Sequence, residues 1–231
     1  MAVNIVSRAD RWVPVRTALI SVSDKKNLEI LAHGLCAVSE KLRILSTGGT
    51  YDAIAKILGP ERAARHLVAV SEYTGQPETQ GGLVKTLDFK IYLGLLTETY
   101  NESHQKDLAR LDAAPIDLVA VNLYPFAQTV ARPDATPEHA RANIDIGGPC
   151  MLRAAAKNFL RVLPLCDPGD YEAVVKKLKA NGGRIDIRTR FEMARKAFAH
   201  TAEYDRAIAA YLGARSSQEI EALYQYPQEG A

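Results

Sequence analysis

The chain is poor in the features that mark secreted, membrane-spanning or nucleic-acid-binding proteins. Cysteine is scarce: Cys36, Cys150 and Cys166 are the only three in 231 residues, and they stand far apart. An odd, scattered set builds neither a disulfide framework nor a metal cluster, so the thiols are expected to be reduced and the compartment cytoplasmic. Cys150 has no histidine near it in sequence, and a buried structural thiol is the simpler reading than a nucleophile. No apolar run approaches the ~20 residues of a membrane span. The opening MAVNIVSRADRWVPV carries scattered charges without the apolar centre of a secretory signal. A formal charge of only +2 leaves no electrostatic footprint for nucleic acid. A phosphate-bearing small ligand needs only a local group of basic residues. Internal repeats and low-complexity segments are also missing.

What is present is an ordinary globular composition, 47% hydrophobic and 24% charged. We expect one large domain over residues 16–212, an N-terminal tail over 1–15 and a polar C-terminal tail over 213–231. Short apolar runs at 17–22, 42–45, 67–70, 91–96, 116–123 and 162–166 read as buried strands. Helical patterns lie at 25–35, 51–58, 137–143, 150–157 and 170–180. A long helical stretch follows at 189–212, read as one helix or as two broken near Thr201. Residues 74–90 read mostly as loop. Strands alternating with helices predict an α/β fold: a doubly wound, mostly parallel sheet with helices on both faces, plus a C-terminal helical region.

In such sheets ligands bind beyond the carboxyl ends of the strands. After the first strand come Ser21, Ser23 and Lys25. Ser23 is a candidate N-cap, and the loop offers hydroxyls, free N–H groups and an ammonium to an anion. After the second come Thr47, Gly48, Gly49 and Thr50, where two glycines let the backbone approach a ligand closely. Lys85 and Thr86 add a basic residue beside a hydroxyl, and Asn122 and Tyr124 follow a later strand. Each loop alone is equally a turn or a cap; together they suggest a phosphate site.

The densest stretch is 143–158, NIDIGGPCMLRAAAKN. Asp145 precedes a Gly-Gly pair, and Lys157 ends the Ala-rich helix that follows. These two are candidates for one proton-transfer site; they also suit an N-cap and a charge that offsets the helix dipole. A continuous helix between them spans ~18 Å, too far to share a small substrate, whereas a helix starting near residue 151 spans less than ~10 Å. Otherwise a turn or a partner subunit must bring them together.

ISVSDK, STGGT, SEYTG, GGLVKTL, VNLYPF, IDIGG, LRAAAKN and KAFAHTAEYD occur in this order. They resemble the inosine monophosphate (IMP) cyclohydrolase domain of the bifunctional purine-biosynthesis enzyme, of methylglyoxal-synthase-like fold, over about residues 17–212. The formyltransferase half has no counterpart here. The resemblance implies closure of 5-formamidoimidazole-4-carboxamide ribonucleotide to IMP with loss of water, and no cofactor or metal. It also implies a proton-transfer role for Lys157, carboxamide contact for Asp145, and Lys85 and Tyr124 around the formyl group. Ser21, Ser23, Lys25, Thr47, Gly48, Gly49, Thr50, Thr86, Asn122, Ile146 and Gly147 match nucleotide contacts. The chain departs from the family pattern at Leu83 (arginine in the family), at Asp88-Phe89 (His-Pro) and at Tyr92 (histidine). The expected partners are a ribonucleotide, further copies of the chain and a separate formyltransferase, with no nucleic acid or membrane. A non-catalytic nucleotide sensor and a methylglyoxal-synthase-type lyase are the competing readings.

Overall fold

The computed structural model describes residues 5–77 and 85–227. Its strands are β1 (Trp12–Pro14), β2 (Thr17–Val22), β3 (Arg43–Ser46), β4 (Leu67–Ala69), β5 (Leu118–Asn122), β6 (Leu163–Leu165) and β7 (Arg184–Asp186). The helices are α1 (Leu28–Val38), α2 (Gly48–His66), α3 (Val70–Thr74), α4 (Phe89–Leu96), α5 (Glu102–Arg110) and α6 (Phe126–Val130). They continue with α7 (Pro137–Ala142), α8 (Gly147–Lys157), α9 (Tyr171–Ala180), α10 (Ile187–Gly213) and α11 (Ser217–Glu221). No helix among the described residues is long and apolar enough to cross a membrane.

The main sheet has the order β4-β3-β2-β5-β6, and each neighbouring pair is parallel. Alternate side chains sort to its two faces, as the strand period of two demands. Ala18, Ile20, Ile44, Leu118 and Ala120 join one core with α1, α2 and α9. Leu19, Leu45, Val119 and Val121 join the other with α4, α8 and α10. Both faces are buried, so the strands read in sequence as unbroken apolar runs. The chain winds from β2 outward to β4, then crosses back to place β5 on β2's other side. That reversal at β2 and β5 opens a crevice at their carboxyl ends.

Several local expectations are corrected. The run 91–96 is helical, not a strand. The Asp88 side chain caps α4, accepting from the N–H groups of Lys90 and Ile91, and Ile91, Gly94 and Leu95 face inward at helical spacing. α2 runs past residue 58 because two helical pieces join at Gly59, whose φ is 73°, and Pro60. Trp12–Pro14 is a strand rather than part of an irregular segment, paired antiparallel with β7. α10 is continuous through Thr201, which is buried and turns its hydroxyl back onto the Phe198 carbonyl. Ser23 does not cap α1: its hydroxyl is held by Leu123 O and Asn122 Oδ1, and the cap position is Asn27.

Candidate active site

The crevice at the β2–β5 reversal is a cavity of about 360 Å³, within the range of small-ligand sites. Every candidate residue named above lines it except Lys157. β2 delivers Ser21, and the loop after it Ser23 and Lys25. The first turn of α2 brings Thr47, Gly48, Gly49 and Thr50. Lys85 and Thr86 enter ahead of α4, Asn122 and Tyr124 from the end of β5, and Asp145, Ile146 and Gly147 from the start of α8. Leu87, Ile144 and Met151 are among the wall positions that the motifs did not single out. Gly81, Gly82 and Leu83 lie outside the described residues.

One end of the cavity is an anion cradle. The opening turn of α2 leaves backbone N–H groups without intrahelical partners, and its dipole favours negative charge there. Gly48 adopts a positive φ of 46°, and a side-chain carbon on it would lie 2.8 Å from Lys85 Nζ. The lysine ammonium therefore rests against bare backbone. Lys25 Nζ bonds to Thr50 Oγ1 at 3.1 Å and to the Val22 carbonyl. Burial lowers its pKa, opposed by the neighbouring Asp24.

Two polar side chains there are committed to the scaffold. Thr50 Oγ1 accepts from Val22 N at 3.1 Å and donates to Val22 O at 2.9 Å. Asn122 Oδ1 accepts from the N–H groups of Ser23 and Asp24 at 2.6 and 2.8 Å. They clip the β2 loop into the shape that presents Ser21 and Lys25.

The other end holds Asp145. Its Oδ1 accepts from Gly148 N at 2.8 Å, so the carboxylate caps α8 as well as facing the cavity. Gly148 must be bare, since a side-chain carbon there would come within 2.5 Å of Asp145 Oδ2. Burial raises the carboxyl's pKa above its ordinary 3.8, against the lowering pull of the Gly148 and Tyr124 N–H groups. Asp145 N donates to the Tyr204 hydroxyl at 2.8 Å, and that hydroxyl donates to Asn143 O at 3.3 Å. Tyr124 and Ile146, 52% and 60% exposed, leave apolar surface at the mouth for a planar ring to cover.

Lys157 stands apart. The cap at Gly148 starts α8 at once, so about 15 Å of helix separates Gly147 from Lys157, and the lysine is exposed. Of the departures from the family pattern that the structure describes, Asp88 caps α4. Tyr92 is drawn against Cys150, and burial raises its pKa. Among the described residues no group of three or more His, Cys, Asp or Glu side chains is set to hold a metal ion.

A doubly wound parallel sheet with a lysine-lined helix start and a half-buried carboxylate over its reversal point defines an α/β domain with a crevice of small-ligand size. Residues 28–150 match the MGS-like domain model, and residues 155–229 match the model of the AICARFT/IMPCHase bienzyme. The chain belongs to the MGS-like domain family. It is 46% identical over 203 residues to the bifunctional purine biosynthesis protein PurH of Leptospira biflexa, covering 88% of this chain and 38% of that protein. The PurH protein of Acidithiobacillus ferrooxidans is 48% identical over 198 residues, 86% of this chain and 36% of its own. The chain thus spans a little over a third of the length of these curated relatives. The crystal structure of ForH superposes with a TM-score of 0.70 at 36% identity, covering 84% of this chain and 96% of that one.

Proposed function

We propose that this chain is an IMP cyclohydrolase, closing 5-formamidoimidazole-4-carboxamide ribonucleotide to IMP in purine biosynthesis. The observation that carries the reading is one cavity with an anion cradle at one end and a half-buried, capping carboxylate at the other. The similarity to PurH proteins along most of the chain supports it.

The reaction sets three demands. The carboxamide nitrogen attacks the formyl carbon, a C–N bond forms, and a proton leaves the nitrogen. The formyl oxygen takes up negative charge and then a proton. The resulting hydroxyl takes a second proton and departs as water while the former formamide nitrogen gives up its own proton, leaving the ring C=N bond. The nitrogen is a poor nucleophile and hydroxide a poor leaving group, so a base, oxyanion donors and an acid are all needed.

The Gly48–Gly49 turn, Thr47, Ser21 and Lys25 hold the phosphate and ribose. Asp145 orients the carboxamide and receives its proton; a carboxyl with a raised pKa is a better base than an ordinary one. Lys85 stabilises the oxyanion and Tyr124 donates to the departing oxygen. Asp145 thereby takes the proton-transfer role that the resemblance gives to Lys157.

The test is incubation with the formylated ribonucleotide while IMP is followed. IMP formation that collapses in Asp145→Asn supports the cyclohydrolase. Nucleotide binding without turnover supports a sensor. The MGS-like match contains most of the cavity wall, though not Ser21, Ser23 or Lys25, so dihydroxyacetone phosphate is the control substrate, and its turnover in place of the ribonucleotide favours the synthase.

A further inference from the structure

We propose that Tyr204, on α10, is a positioning residue that holds Asp145 in its reactive place; the inference rests on the cyclohydrolase reading. The observation is a hydroxyl used in both directions. It accepts from Asp145 N at 2.8 Å and donates to Asn143 O at 3.3 Å. The two backbone groups flank the bend that aims the Asp145 side chain into the cavity. Burial raises the phenol's pKa, so its one proton stays available for the Asn143 carbonyl.

The hydroxyl is itself well placed. The Tyr204 ring meets Phe126 edge-on at 6.2 Å, and Phe126 directly follows the Tyr124-Pro125 loop of the same cavity. Besides Thr189 in its first turn, α10 buries a stripe of Arg190, Ala194, Ala197 and Thr201; their spacing of four, three and four residues continues to Tyr204. Arg190 sets the register of that stripe. Its guanidinium donates to the carbonyls of Phe159, Leu160, Ile185 and Asp10 at 2.7 to 2.9 Å. About 21 Å of helix then carries the register to Tyr204.

α10 lies in the part of the chain that matches the bienzyme model and outside the MGS-like match. The MGS-like part therefore supplies most of the cavity wall, and the following helix fixes the one carboxylate that the ring closure uses. Cyclisation needs the amide held within a narrow approach geometry, and a displacement of ~1 Å can cost on the order of 100-fold in rate.

The experiment compares wild type, Tyr204→Phe, Asp145→Asn and the double variant. Phenylalanine keeps the ring on Phe126 and removes only the hydroxyl, and a thermal midpoint checks that the chain folds. We expect Tyr204→Phe to lower kcat about 10- to 100-fold with KM little changed, since the phosphate cradle is untouched. The double variant should be no slower than Asp145→Asn alone, because both substitutions act through one carboxylate. A normal kcat, a loss carried by KM alone, or losses that multiply in the double variant would overturn the inference. Amide exchange across residues 143–148 gives a readout without turnover: it should quicken in Tyr204→Phe, and unchanged exchange sinks the inference. Wild type that forms no IMP removes the cyclohydrolase reading, and exchange then decides the Tyr204 contact by itself.

Discussion

The two ends of the parallel sheet use charged residues in opposite ways. At the amino ends of β2, β5 and β6, Arg161 and Asp117 are each only 6% exposed, and their charges are spent on protein atoms. Arg161 Nη1 meets Asp117 Oδ1 at 3.1 Å, and the guanidinium also donates to the carbonyls of Gly94, Thr97 and Ile116. Asp117 Oδ2 accepts from the N–H groups of Arg16 and Thr17. At the carboxyl ends, Lys25, Lys85 and Asp145 face a cavity. Charged residues thus lock one end of the sheet and line a cavity at the other. α10 touches both ends, with Arg190 bonded to the segment between α8 and β6 and Tyr204 to the Asp145 bend.

The comparison breaks most violently at the closed end. Arg161→Met leaves Asp117 buried without its counter-charge, and removing one partner of such a pair costs about 3–5 kcal/mol. A urea titration should show the midpoint falling by that much stability. An unchanged midpoint would mean that this end is no more a lock than the other.

The open end should respond with the opposite sign. Asp145→Asn should reduce IMP formation about 10²- to 10⁴-fold, the usual size of an acid–base contribution, while making the chain more stable at neutral pH. The folded pKa of Asp145 is raised above its ordinary 3.8, so the fold binds that proton more tightly than the unfolded chain does. Ionisation inside the fold is therefore unfavourable, and the penalty is complete above the raised value. Asparagine removes the penalty and can still accept from Gly148 N. Its thermal midpoint should exceed that of wild type near pH 7, and the gap should close as the pH falls through the raised value towards 3.8. A lower midpoint at neutral pH would contradict the burial argument.

The sequence reveals this open end far better than the closed one. The loops after β2, β3 and β5 follow from the strand pattern and the rule that ligands gather beyond strand ends. Arg161 and Asp117 are single charges 44 residues apart, and no local pattern marks them. Tyr204 sits 59 residues from Asp145; its motif is visible but its contact is tertiary. The run 91–96 misleads because a short buried helix and a buried strand are both plain apolar runs. α5 is absent from the sequence pattern because Leu108 is its one buried residue.

A smaller effect is expected at Gly48. Alanine there must hold a left-handed backbone, at a cost of about 1–2 kcal/mol, and its methyl would displace Lys85 Nζ. IMP titrated into Gly48→Ala should bind about tenfold more weakly, in line with a charge-assisted bond lost. Wild-type affinity would show that the Gly48 turn does not hold the phosphate.

Lys157→Ala should change least, although its residue lies in the densest motif of the chain. Spacing alone left its place open, because the distance to Asp145 depends on where α8 begins. The Asp145 cap on Gly148 starts the helix at residue 147. The lysine is then carried about 15 Å away along the axis, exposed and absent from the cavity wall. An exposed lysine in the last turn of a helix contributes about 0.3–1 kcal/mol through the dipole, so a slight drop in midpoint with kcat nearly unchanged is the expected result. A loss of kcat comparable to that of Asp145→Asn would mean that a second copy of the chain brings its lysine to this cavity. Mixing Lys157→Ala with Asp145→Asn chains would then restore turnover, since a mixed pair would contain one intact site.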